Sequence, residues 1–238
     1  MESLKDISFN DEIRIGCTCA KKGLIEFSKF GPSTIDLFIP LLLLSVGFER
    51  LLKVLYCFDF FNKNSNYPTN NELKDKGHDL IALTNHFISV CENYQLYKNA
   101  QARINDLKYL KNSLDFKQLL SILNIFAKEA RYYNLDYISG IEKQIYDPRE
   151  LISKFLNNIL RRYPEINEQI SNPPYNSQIV YDTFNPYFVE LVQRFLRIIC
   201  FGFTQGAFGD KAKQLSDGLL DDFLFIRDEN LSQINFTL

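Results

Sequence analysis

The sequence contains no tryptophan, one methionine, two histidines, ten glycines and eight prolines in 238 residues. Scarce glycine and proline exclude a loop-rich or collagen-like chain. Two histidines leave little room for a multi-histidine metal centre or a histidine relay. Positive charge is not in excess either. Lys plus Arg is 27 against 29 Asp plus Glu, a net charge of -2, so nucleic acid would have to be met by a local patch and not by bulk charge. No apolar run reaches the ~20 residues of a membrane-spanning helix. The strongest, Leu37 to Val46, is followed at once by Glu49, Arg50 and Lys53. The charged start MESLKDISFNDE is not a signal peptide.

What is present is apolar material: 46% of residues are hydrophobic, with 21 Phe and 13 Tyr, enough for a sizeable core. The five cysteines at 17, 19, 57, 91 and 200 are odd in number and mostly scattered through apolar segments. They read as core residues in a reducing compartment, hence a cytoplasmic chain. Cys17-x-Cys19 lacks a second pair of ligands, so neither metal nor cofactor is expected.

Apolar periodicity predicts an all-α chain with no strand. A first helix runs from a cap at Asn10 or Asp11 to about Phe30, stopped by Gly31-Pro32. A second, capped by Ser33 or Thr34, extends to Phe60 or Phe61, with a kink or late start at Pro40. Apolar on nearly every face, it should be the most buried element, with Leu42, Val46 and Leu52 inaccessible. An exposed loop over 62–71, a turn over ELKDK, a helix from Gly77-His78 to about Tyr97 packed antiparallel to the second, and a polar helix over 100–112 follow. Asp115 caps an amphipathic helix through Phe116, Leu119, Leu123 and Phe126 that continues to about Gly140. Helices over 148–163, 187–208 and 210–226, with a Pro/Asn-rich connector over 164–179, complete the chain.

Two polar clusters stand out. Glu49 and Lys53, spaced i, i+4, share one face of the second helix with Arg50 nearby. They are either its narrow solvent-facing stripe or an ion pair fixing its register. Arg131, Tyr132, Tyr133 and Asn134 form the other. On a continuous helix Asn134 projects to the core side and Arg131 to its boundary, which asks for a hydrogen-bond partner or a neighbouring subunit. His78 can cap its helix or bond to Glu49. His86, two turns on, is too far for both to hold one metal ion.

Gly47-Phe48-Glu49-Arg50-Leu51-Leu52-Lys53, Gly77-His78-Asp79-Leu80 and Ala130-Arg131-Tyr132-Tyr133-Asn134-Leu135-Asp136, in this order, resemble the helical bundles grouped as HEPN and HEPN-like. These are common in bacterial and archaeal toxin–antitoxin and antiviral systems. The resemblance implies an antiparallel HEPN-like bundle over 1–140, with 141–238 as a C-terminal helical extension. It also implies a homodimer, RNA as a possible ligand, and a partner protein from the same operon. The family's ribonuclease motif is an Arg followed four to six residues on by His. Arg131 matches the Arg, but residues 135 to 137 are Leu, Asp and Tyr, so the general acid or base is missing. The carry-over stops at Arg131 and Asn134, with Tyr132, His78 and Glu49 as the remaining candidates. The expectation is a catalytically degenerate binding or scaffolding component. The alternatives are a metal-independent ribonuclease around Arg131 and a helical interaction module without a nucleic-acid role.

Overall fold

The computed structural model describes residues 2–31, 37–94, 101–129, 132–140, 147–173, 176–215, 218 and 220–234. Helix accounts for 80% of them and none is in a strand.

Two long helices form the first layer, α1 (Glu2–Ser28) and α2 (Phe38–Asn64). α1 begins at Glu2, well before the cap expected at Asn10 or Asp11. Pro40 marks a late start of α2, in whose first turn a missing N–H costs nothing; Ser33 and Thr34 lie outside the described residues. Gly16, Ala20 and Gly23 recur at i, i+4 and i+7 on α1 and face Leu44, Gly47 and Leu51 of α2. Rising numbers on one helix meet falling numbers on the other, so the pair is antiparallel, with backbones in near contact at Gly47.

Ser65 ends α2 in the left-handed conformation, φ 58°, its N–H donating to the Phe61 carbonyl. The chain then turns back along α2. Tyr67 stacks on Phe61 with ring centroids 4.7 Å apart. Short α3 (Asn70–Asp75) opens with a reciprocal Thr69–Glu72 capping box. Gly77, φ 51°, makes the turn into α4 (Leu80–Asn93), which Asp79 caps by accepting from the Ala82 N–H. Because this return precedes it, α4 runs parallel to α2, not antiparallel: His78 meets Glu49, and His86 meets Asp59.

α5 (Gln101–Asn112) leads to α6 (Leu114–Lys128), antiparallel to α4. The cap of α6 is Ser113, whose hydroxyl accepts from the Phe116 N–H. Asp115 instead ties α6 to the turn at Arg162 and to Tyr187 further along the chain. It accepts 2.7 Å from Arg162 Nη1 and bonds to the Tyr187 hydroxyl. Burial pushes its carboxyl pKa up, but the Arg162 and Tyr187 hydrogen bonds outweigh that and hold it below the usual range.

α6 does not continue to Gly140. It stops at Lys128, and a separate α7 (Tyr133–Ile138) follows. Past Ala130 the position that would extend the apolar stripe is Asn134, so little burial rewards a further turn. α8 (Pro148–Leu160) starts at its proline as expected. The connector expected over 164–179 contains α9 (Pro164–Ser171), because Ile166 finds a satellite cluster with Leu160 and Val180.

α10 (Gln178–Thr204) passes through Pro186, nine residues before its expected start having become helical. Pro186 lies on the exposed face, where water can meet the carbonyl left unpaired. Next to it, the buried Asn185 donates to the carbonyls of Ser28 and Phe30, closing the end of α1. α11 (Asp210–Leu215), α12 (Asp221–Leu224) and a 3-10 turn at Asp228–Asn230 replace the single last helix.

α10 shares the centre with α2 and buries more residues, 16 against 14. Leu52 is buried as expected, whereas Leu42 and Val46 are only half-buried. Phe195 packs on Phe48, 4.8 Å between centroids, and on Phe116, 4.9 Å; Phe188 stacks on Phe27. One core therefore draws on residues from Ile13 to Phe223. At its edge Arg197, 2% exposed, grips Asp106, 0% exposed, with two bonds of 2.7 and 2.8 Å. The same guanidinium donates to the Ile226 carbonyl and pairs with Asp228.

Candidate functional site

The return segment between α2 and α4 leaves a cavity of about 850 Å³ against α1 and α2. Its position follows from the local sequence: Tyr67 pins the segment to α2, and Gly77 aims His78 back at Glu49. His78 Nδ1 lies 3.0 and 2.9 Å from the two Glu49 oxygens. Lys53 donates to the same carboxylate at 2.7 Å. The expected contact of His78 with Glu49 is therefore present. With Nδ1 on a carboxylate, Nε2 is the nitrogen left for a ligand. The Glu49 side chain is 15% exposed and that of His78 46%, so the acid is recessed and the imidazole reaches the opening. Burial raises the Glu49 pKa, but hydrogen bonds from Lys53 and His78 prevail and keep it below the usual carboxylate range. Glu49 is thus held ionised.

The next residue, Arg50, pairs with Glu12 of α1. Lys5 stands 5.1 Å from the centroid of the Tyr67 ring, a cation–π contact, and Lys74 lines the same cavity from α3. Phe9, Val46, Val54 and Leu73 make up apolar wall. Cys57 also lines it, its thiol pushed up to about 12 by burial, which keeps it protonated at neutral pH. A companion cluster lies further along α2, where His86 Nε2 is 2.9 Å from Asp59 and Lys63 2.6 Å from the same carboxylate.

Of the other candidates, Arg131 and the side chain of Asn134 lie outside the described residues. The break between α6 and α7 cancels the continuous-helix geometry used to aim them. Tyr132 is exposed before the first turn of α7 and does not line the cavity. The two clusters are nevertheless linked through their neighbours. Lys128, three residues before Arg131, pairs with Asp79, one residue after His78, at 2.6 Å. Leu80 N–H donates 2.8 Å to Asn124.

Sequence reasoning missed Lys5, Tyr67 and Lys74, which join the site only because the chain doubles back; no periodicity signals that. It also missed Asp106 with Arg197, although an arginine inside Phe195-Leu196-Arg197-Ile198-Ile199 was a readable sign of a buried cation needing a partner. Among the described residues no cluster of three or more His, Cys, Asp or Glu could hold a metal ion, and no helix is long and apolar enough to cross a membrane. Comparison with protein-family models, curated proteins and solved structures returns no match for this chain.

Proposed function

We propose that this chain is a HEPN-like binding component of a prokaryotic defence or toxin–antitoxin-type system, silent as a ribonuclease, that receives its ligand at the His78–Glu49 cavity. The observation that carries the reading is the state of Glu49. Hydrogen bonds from Lys53 and His78 hold it ionised with a lowered pKa, whereas a general base at neutral pH works best with a pKa near 7. Such a carboxylate orients His78 and fixes the cavity's shape. The missing histidine after Arg131 supports the same reading. A two-fold homodimer belongs to the proposal, with the Arg131–Asn134 segment at or near its interface. Tyr132, Leu135, Tyr137 and Ile138 are all exposed on or beside α7, the side-chain types that mark interfaces.

The second reading, a metal-independent ribonuclease around Arg131, is favoured by the Lys128–Asp79 pair, which runs the chain leading to Arg131 past the His78 turn. Incubation with labelled RNA and tRNA, beside Arg131→Ala, separates them. RNA retarded but intact supports the binding component. Cleavage abolished by Arg131→Ala replaces it with the enzyme. RNA neither bound nor cut leaves a protein-interaction module.

A further inference from the structure

We propose that the α1–α2 cavity takes a small amphipathic anion, an apolar body ending in a carboxylate or phosphate. The inference deepens the reading above and rests on the cavity's being the binding site. Its volume, about 850 Å³, lies in the range of small-molecule sites, which combine apolar walls with a few placed polar groups. Here the wall is supplied by Phe9, Val46, Val54 and Leu73. At the mouth Leu4 stands 66% exposed, apolar surface that a ligand body would cover.

Charge selects the head group. Four cations line the cavity, Lys5, Arg50, Lys53 and Lys74, against two carboxylates, Glu12 and Glu49. Arg50 is paired with Glu12, and Lys53 with Glu49. That leaves Lys5 and Lys74 without a carboxylate partner among the described residues, and His78 offering Nε2. A local surplus of positive charge in a chain of net charge -2 fits an anion and disfavours a cation. The wall disfavours a nucleotide. A base needs donors and acceptors along its edge, yet the Ser8 hydroxyl is engaged by the Leu4 carbonyl at 2.9 Å, and Asn70 is the one amide among the lining side chains.

The test is calorimetric titration of the intact chain with octanoate, octyl phosphate, octan-1-ol, inorganic phosphate and adenosine monophosphate. Octanoate or octyl phosphate is expected to bind with 1:1 stoichiometry, with octanol and inorganic phosphate each weaker by about tenfold or more, the scale of one charge-assisted hydrogen bond. Two variants, Lys5→Gln/Lys74→Gln and Val46→Trp, each with an unchanged far-UV spectrum, should each weaken the amphiphile by about tenfold. Octanol matching octanoate would reduce the site to an apolar cleft and overturn the proposal. So would tighter binding of the nucleotide, affinity untouched in both variants, or no binding of any probe. RNA is titrated into the same samples. Amphiphile binding without RNA binding keeps this inference and removes the RNA arm of the function proposed above; the reverse result removes only the inference.

Discussion

A cavity framed by α1 and α2 depends on how closely those helices approach, and Gly47 tests that directly. In an isolated helix Gly→Ala stabilises by about 1 kcal/mol. Here a Cβ on Gly47 would lie 2.9 Å from the Gly16 carbonyl oxygen and 3.0 Å from the Ala20 nitrogen. Both are backbone atoms in the middle of a helix, so neither can swing aside, and relief requires α1 to move as a body. Overpacking of this kind costs about 1–3 kcal/mol, which exceeds the propensity gain. Gly47→Ala should therefore destabilise by about 1 kcal/mol net, lowering Tm by roughly 2–4 °C in a chain of this size. Gly16→Ala is the internal control. Its Cβ meets the Cγ of buried Leu51 at 2.9 Å, a side-chain atom that can shift slightly where backbone cannot, and the Gly47 oxygen only at 3.4 Å; it should cost less. Thermal unfolding followed at 222 nm reads both. A Gly47→Ala protein as stable as the parent, or less affected than Gly16→Ala, would refute the close-contact argument.

Other outcomes follow from the same structure. Arg197→Met should destabilise by about 3–5 kcal/mol, because it leaves buried Asp106 to the longer Arg194 contact at 3.2 Å; Asp106→Asn should cost less, since Arg197 keeps its pairing with Asp228. Urea midpoints compared with the double variant Asp106→Leu/Arg197→Met, expected to recover much of the loss, check this. Phe195→Ala, which empties the contact between α2, α6 and α10, should cost about 3–5 kcal/mol in the same assay. Glu49, Asp59 and Asp115 all have lowered pKa values in the folded chain. A lowered carboxylate adds stability above its unfolded pKa, about 4, and that stability is lost as pH falls through the folded value. The chain should thus lose stability below about pH 4, with a shallower acid slope in Asp115→Asn. Light scattering at micromolar concentration tests the proposed dimer: a single species at 27.8 kDa would rule it out.

The all-helical class was legible because apolar residues recur at helical spacing from Phe116 to Ala130, and because Pro148 marks a helix start by local chemistry alone; the cap of α4 is Asp79 and not its neighbour His78. The contact of His78 with Glu49 was legible too, yet the antiparallel packing used to reach it was wrong. Direction depends on where the 65–79 segment goes, and that is decided by Tyr67 finding Phe61 and Phe9, a choice made in three dimensions. The expected start near 187 fell nine residues late for the opposite reason. The helix continues through Pro186 because Phe184 and Phe188 are buried on either side of it.

The position of α10 bears on the order of events during folding. Phe27, Phe48 and Phe116 all complete their contacts against residues between Phe188 and Phe195, and Asp106 waits 91 positions for Arg197. Synthesis proceeds from the N-terminus, so the first helices emerge with the groove that α10 will occupy still open. Their neutralising arginine is not yet made. Loop closure over such distances is slow compared with helix formation, which makes the interval before α10 docks the period of greatest exposure to aggregation. Asp106, harmless while solvated, becomes an obstacle to premature collapse: until Arg197 arrives, burying that carboxylate is too costly for the groove to close on the wrong helix.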